Sequence, residues 1–393
     1  MKIFKILLVA LVAMIGLGSC SKDCDHDFIE HDYTEELVGT WSVIGPDAAE
    51  ALVIKADGTM EFTGVYEGEY FESYARYEVV NNRITLIWDD GTKDEGRLNV
   101  VDGSSFSIII DEETGAGYYF TYCHEDFSDK IIGSWLTQTD ETSEIWSYHA
   151  DGTSDCAAYY YHSDEQFETF VTGTYKLVGD ILFETVHYGE GMALSFGSRI
   201  SYTPGGSPFG DVLTNTILSM NGDEVEETVA SVVRVKPSLH LAGTKYSYSS
   251  CNVTNVKGAD MDGKGLDKML NALLFDMEFP DANQLNYSYF SETFNAPVEV
   301  EGNKLTVKMS SKVPTLKDVT FYAFQSTDCS QMHLCMDATA FENFYTNMQA
   351  MLMDAHDEQF DITDAESVNA IHTAICNAVE TIKLTITMEK ASE

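Results

Sequence analysis

The feature that most constrains this chain is an internal repeat. Leu37-Val38-Gly39-Thr40-Trp41 returns 94 residues later as Ile131-Ile132-Gly133-Ser134-Trp135, and Ala56-Asp57-Gly58-Thr59 returns at the same offset as Ala150-Asp151-Gly152-Thr153. A third match, Tyr77–Leu86 against Tyr175–Phe183, comes at an offset of 98, so the second copy carries a few more residues in a loop. Three segments matched in the same order point to two units of one design. A fainter third copy opens at Leu241-Ala242-Gly243-Thr244-Lys245-Tyr246, without the tryptophan, and its last segment runs Val298–Val307. This third unit is either a diverged copy with a helical insertion or a different β-rich domain that shares the turn.

Inside each copy the punctuation is that of hairpins. Asp57-Gly58, Asn81-Asn82, Asp90-Gly91, Asp102-Gly103, Asp151-Gly152 and Gly179-Asp180 accept positive φ. The runs between them alternate apolar with polar, as in Ser105–Ile110 and Thr216–Met220. Turns every ~8–12 residues suit a small sandwich or barrel of about eight strands. The last unit also carries helical spacing: Leu266, Met269, Leu270, Leu273 and Leu274; Phe341, Phe344, Tyr345, Met348, Met351 and Leu352; and, after Asp364, Val368, Ile371, Ile375 and Val379. The methionine-rich stripe reads as core, with a partner groove as the alternative.

Charge removes whole classes of function. Only 23 Lys and Arg face 64 Asp and Glu over 393 residues, for a net charge of −41. No basic excess is available to neutralise phosphates, so nucleic acid is excluded as a partner, and so is a polybasic membrane patch. The 44% hydrophobic content is ample for packed cores. Eight cysteines lie scattered without a Cys-x-x-Cys, which is not a disulfide framework. Cys329 and Cys335 alone are close enough in sequence to pair across a hairpin.

The N-terminus gives an address. Lys2 and Lys5 precede an apolar run, Ile6–Leu17, which is too short to span a bilayer. Leu17-Gly18-Ser19-Cys20 resembles the lipobox of lipoprotein signal peptidase. That resemblance implies a signal peptide over residues 1–19 and acyl chains on Cys20, a membrane anchor that needs no transmembrane helix. The acidic run Ser21–Asp27 is similar to the export signal of Bacteroidota lipoproteins, which implies an outer-membrane, surface-exposed location. Residues 20–33 then form an acidic tether, where His26 and His31 offer at most a weak metal site.

Gly-x-Trp at the first strand, an Asp-Gly-Thr hairpin and a meander of about eight strands together resemble the lipocalin-like (calycin) domains of Bacteroidota lipoproteins. The resemblance implies a mainly β chain with two tandem antiparallel barrels, over 34–128 and 129–237, and a C-terminal β-rich domain with helices over 238–393. It further implies that Trp41 and Trp135 close one end of each barrel, with Arg234 packed over the second. The first unit has no arginine near its end.

Catalytic motifs are missing: there is no Gly-x-Ser-x-Gly, no His-Glu-x-x-His and no glycine loop for phosphate. Asp260-Met261-Asp262-Gly263-Lys264-Gly265 resembles the start of a calcium loop, but Lys264 and Asn271 stand where ligands belong. Asp260 and Asp262 are therefore weak candidates, and no cofactor is expected. Tyr159-Tyr160-Tyr161 suits sheet packing better than sugar stacking. The expectation is a non-enzymatic binding lipoprotein for a small apolar molecule, a glycan or another ligand. The alternative is a structural lipoprotein docked to an outer-membrane protein partner.

Overall fold

The computed structural model describes residues 33–43, 49–66, 69–101, 103–111, 113–123, 125–139, 142–161, 169–189, 191–221, 223–255, 276–289, 292–355 and 382–391. Its architecture is three closed, eight-stranded antiparallel barrels in series. The first opens with a one-turn helix, α1 (Thr34–Leu37), and winds through β1 (Gly39–Val43), β2 (Glu50–Ile54), β3 (Thr59–Tyr66), β4 (Glu69–Val80), β5 (Arg83–Trp88), β6 (Lys93–Val101), β7 (Ser105–Asp111) and β8 (Ala116–Tyr122). Closure comes from pairing β1 with β8, where Trp41 faces Tyr122.

The second barrel repeats the plan after α2 (Ser128–Ile131). Its strands are β9 (Gly133–Gln138), β10 (Thr142–Tyr148), β11 (Thr153–Tyr160), β12 (Thr169–Val178), β13 (Ile181–Tyr188), β14 (Met192–Ser207), β15 (Gly210–Met220) and β16 (Asp223–Val235). Here β9 pairs with β16, Trp135 opposite Arg234.

The C-terminal unit closes as a barrel of the same kind, through β17 (Thr244–Asn255), β18 (Asp276–Asp281), β19 (Gln284–Tyr289), β20 (Glu292–Glu301), β21 (Lys304–Val307), β22 (Val319–Gln325), β23 (Gln331–Met336) and β24 (Ile382–Lys390). A longer helix, α3 (Ala338–Ala355), lies between its last two strands. Asp337 caps it by accepting the amide of Ala340 at 2.7 Å. Phe341 and Phe344 are buried in the third barrel's core. The helical patterns at 264–275 and 364–379 lie outside the described residues, as do Cys20, His26, His31, Asp260 and Asp262.

One turn recurs in all three barrels and shows why the repeat specifies register. Asn81, Gly179 and Gly302 each take a left-handed φ, of 57°, 63° and 59°. The next carbonyl, of Asn82, Asp180 or Asn303, then accepts the amide of Leu98, Ile200 or Ala323 at 2.7–2.8 Å. A tyrosine hook also recurs: Tyr77 donates to the Lys55 carbonyl and Tyr175 to that of His149, at 3.0 and 2.7 Å.

Neighbouring barrels meet through buried apolar contacts. Ala49, Ala51 and Val65 of the first pack against Val178, Ile181 and Phe183 of the second. Lys176 from the second barrel binds Glu61 and, at 2.7 Å, Glu72 of the first. Between the second and third, Leu136, Ile145, Tyr159, Tyr161 and Phe209 pack on Tyr322, Phe324 and Cys335.

A Cys329–Cys335 bridge does not form; both are free thiols. Cys329 sits in the turn between β22 and β23 with φ 58°. Cys335 lies along β23 in the inter-barrel core, where Gln138 Nε2 approaches its Sγ at 3.3 Å.

Candidate functional site

The two ends of the first two barrels differ in their chemistry. At the end where each first strand begins, Trp41 and Trp135 are both fully buried. A buried indole needs an acceptor for its N–H, and a helix end supplies unpaired carbonyls. Both needs meet in one bond: Trp41 Nε1 donates to Leu37 O at 2.8 Å, and Trp135 Nε1 to Ile131 O at 2.7 Å. Each one-turn helix thus supplies the acceptor for a buried indole.

The lids over the plugs differ. Arg234 lies 4.4 Å from the Trp135 ring centroid, and its Nη1 donates to Ile132 O at 2.9 Å, while Nη2 reaches Lys130 O. One guanidinium therefore combines a cation–π contact with capping of the last carbonyls of α2. In the first barrel Tyr122 takes this place, edge-on to Trp41 at 4.9 Å and 77°. The glycine of Gly-x-Trp makes room for either lid. A Cβ on Gly39 would lie 2.5 Å from the Tyr122 ring, and one on Gly133 would lie 3.0 Å from Arg234 Nη1.

In the third barrel the buried residue is Tyr246, whose hydroxyl accepts from Gln325 Nε2 at 2.5 Å. Gln325 also bonds both backbone groups of His240. Tyr122, Tyr246 and Gln325 carry no motif of their own. The pairing of the last strand with the first is the signal that finds Tyr122.

Inward-facing positions carry the remaining chemistry. Alternation from Leu52 and Ile54, both core residues, turns Glu50 inward on β2. Across the sheet, Glu50 pairs with Gly64, and Gly64 with Phe71. A Cβ on Gly64 would meet the Phe71 ring at 2.6 Å and Glu50 Cγ at 3.1 Å, so the missing side chain is the space these two occupy. Glu50 Oε2 is buried with no hydrogen-bond partner. Burial lifts its carboxyl to about 7, with no charged group opposing. Around it Phe71, Trp88, Asp94 and Tyr118 are only half-buried, which marks this end as the mouth of the barrel. Trp88 Nε1 donates to Asp94 at 2.6 Å, and the fields of Glu50 and Asp94, after burial, raise the Tyr118 hydroxyl.

The second barrel arranges its interior differently. Glu144 occupies the repeat position of Glu50, since Trp41 faces Leu52 as Trp135 faces Trp146. The buried carboxyl here is Glu184, facing Tyr175 where the first barrel has Leu86 facing Tyr77. Burial lifts it too to about 7, but it accepts from Ser154 at 2.8 Å and Tyr148 at 3.3 Å. Burial and nearby carboxylates push the Cys156 thiol up, which keeps it from acting as a thiolate.

Tyr159 and Tyr161 are buried against Tyr322 of the third barrel, and Tyr160 is exposed. That pair serves the inter-barrel packing and presents no stacking face to a sugar. Among the described residues, no group of three His, Cys, Asp or Glu is placed to hold a metal, and no helix is long and apolar enough to cross a membrane.

No family of known proteins has a sequence model that matches the chain, and no curated protein matches it. Among solved structures, a point mutant of the vaccine antigen transferrin binding protein B from Haemophilus parasuis Hp5 is similar at a TM-score of 0.21 and 8% identity. The match covers 88% of this chain and 66% of that one. So distant a likeness leaves the function to be argued from this chain's own residues.

Proposed function

We propose that the chain is a non-enzymatic cell-envelope lipoprotein, anchored through Cys20, that binds a small ligand inside a barrel. One observation carries this reading: at the mouth of the first barrel, half-buried aromatic side chains surround a buried carboxylate oxygen with no partner. Buried polar atoms without partners cost about 1–3 kcal/mol, and folds retain few of them without a use. The plugs Trp41 and Trp135, with Arg234 over the latter, close the other ends and serve structure. In this reading the acidic tether holds the barrels off the outer membrane.

Titration of the mature chain with the neutral probe N-phenyl-1-naphthylamine tests the binding. The expected result is saturable fluorescence lost in Phe71→Ala with the barrel still folded; unsaturable or unchanged binding overturns the reading. Palmitate labelling tests the anchor, and should vanish in Cys20→Ala.

A second reading, a docking rod for an outer-membrane partner, is favoured by the buried apolar contacts that join the three barrels. It predicts that the described chain binds no probe at all yet is retained by an envelope protein complex.

A further inference from the structure

The mouth of the first barrel has a chemistry specific enough to name its ligand class, given the reading that a ligand binds there. We propose that it takes a small organic cation, its ammonium group paired with Glu50 and set against the rings of Phe71 and Tyr118.

The first argument is what Glu50 lacks. Its Oε2 is buried without a donor, and no described lysine or arginine forms an ion pair with it. Ser154 and Tyr148 donate to Glu184, a buried carboxylate at a different position of the second barrel, so this fold can satisfy such a group. An acceptor left open asks for a ligand that brings the donor. A charged donor gains most, because a buried carboxylate is costly alone and tolerable when paired.

The second argument is the wall. Glu50, Gly64 and Phe71 form one cross-strand row, and the absent side chain of Gly64 lets the Phe71 ring and the Glu50 stem pack side by side over it. Tyr118 lies on the opposite wall, 6.4 Å from Phe62 and close enough to feel the charge of Glu50. Aromatic faces around a carboxylate favour an alkylammonium over a hydrated ion. A divalent metal needs several oxygen ligands, and the described residues offer no group of three. The net charge of −41 draws cations toward the chain as a whole.

The test uses the full mature chain, 3,3-dimethylbutylammonium as the cation and its uncharged counterpart 3,3-dimethylbutan-1-ol, each by calorimetry and by displacement of the neutral probe. The ammonium should bind more tightly than the alcohol by about tenfold, the scale of a desolvated cation–π contact, and Glu50→Gln should abolish that preference. Thermal unfolding of Glu50→Gln shows that the barrel is intact. If the ammonium and the alcohol bind equally, or neither displaces a bound probe, the cation is wrong while the binding site stands. If the probe itself does not bind, the binding reading falls as well.

Discussion

The first two barrels share a skeleton and differ in what they enclose. Both close Trp against the last strand, both use a one-turn helix to satisfy the indole, and both place the same tyrosine hook beside the same hairpin. Their interiors diverge: Leu52, Met60, Phe62 and Leu86 of the first stand where Trp146, Ser154, Cys156 and Glu184 stand in the second. Backbone register depends on the turns, the plug and closure. The inward positions between them can therefore change from apolar to polar without moving a strand. The second barrel supplies donors to Glu184, whereas the first, at a different position, leaves one buried oxygen of Glu50 without a donor.

The largest effect should come from the plugs. Trp41→Ala is expected to destabilise the first barrel by ~3–5 kcal/mol, the cost of emptying a buried indole site. Trp135→Ala should cost about as much and in addition strip Arg234 of its ring, by ~1 kcal/mol. Denaturant unfolding of both variants measures the difference. A loss under ~1 kcal/mol for either would break the parallel between the two ends.

Next in size is the response to pH. The Glu50 carboxyl is raised from 4.5 to about 7, so the fold favours its protonated form. The penalty is absent below 4.5, grows as pH rises toward 7 and is constant above. Glu50→Gln should therefore stabilise the chain by up to ~3 kcal/mol at pH 8 and change little at pH 4. Glu184 is raised similarly, but a glutamine there keeps only one of two acceptors for Ser154 and Tyr148. Its gain at pH 8 should be smaller by ~1 kcal/mol. Melting temperatures of both variants at the two pH values sharpen the contrast between an open and a closed carboxylate, and equal gains would erase it.

Smaller effects separate the lids and the joint. Arg234→Lys loses the fork that reaches Ile132 and Lys130 and should cost ~1–2 kcal/mol in the second barrel alone. Lys176→Met should cost no more than ~1 kcal/mol, and less at high salt, because the lysine bridges Glu61 and Glu72 near the surface. Salt-dependent melting of that variant checks it.

Much of the architecture was legible in residues, because turns act locally. Asn81, Gly179 and the aspartate-glycine pairs fix where strands reverse. The 94-residue spacing then shows that two stretches solve the same problem. The third copy, which lacks the tryptophan, was legible only as far as its turns. A third barrel follows once β17 pairs with β24, a contact between residues 127 to 144 apart.

The interior chemistry was not legible. A one-residue change of register turns every side chain to the opposite face, so sequence leaves open whether Glu50 points inward or outward. On β13, Leu182 faces the barrel core while Ile181 and Phe183 face outward with Val178 of β12, and only the packing of the first barrel on the second explains why that outer face is buried. Tyr159 and Tyr161 likewise acquire their role from the third barrel. By itself the sequence determined the repeated hairpins, the tryptophans that start each of the first two copies and the acidic surface, because local backbone preference and composition decide these. Tertiary structure alone decided that Tyr122 lies over Trp41 where Arg234 lies over Trp135, and that Oε2 of Glu50 ends buried without a partner. Both depend on which distant strand closes the sheet, and no local preference encodes that.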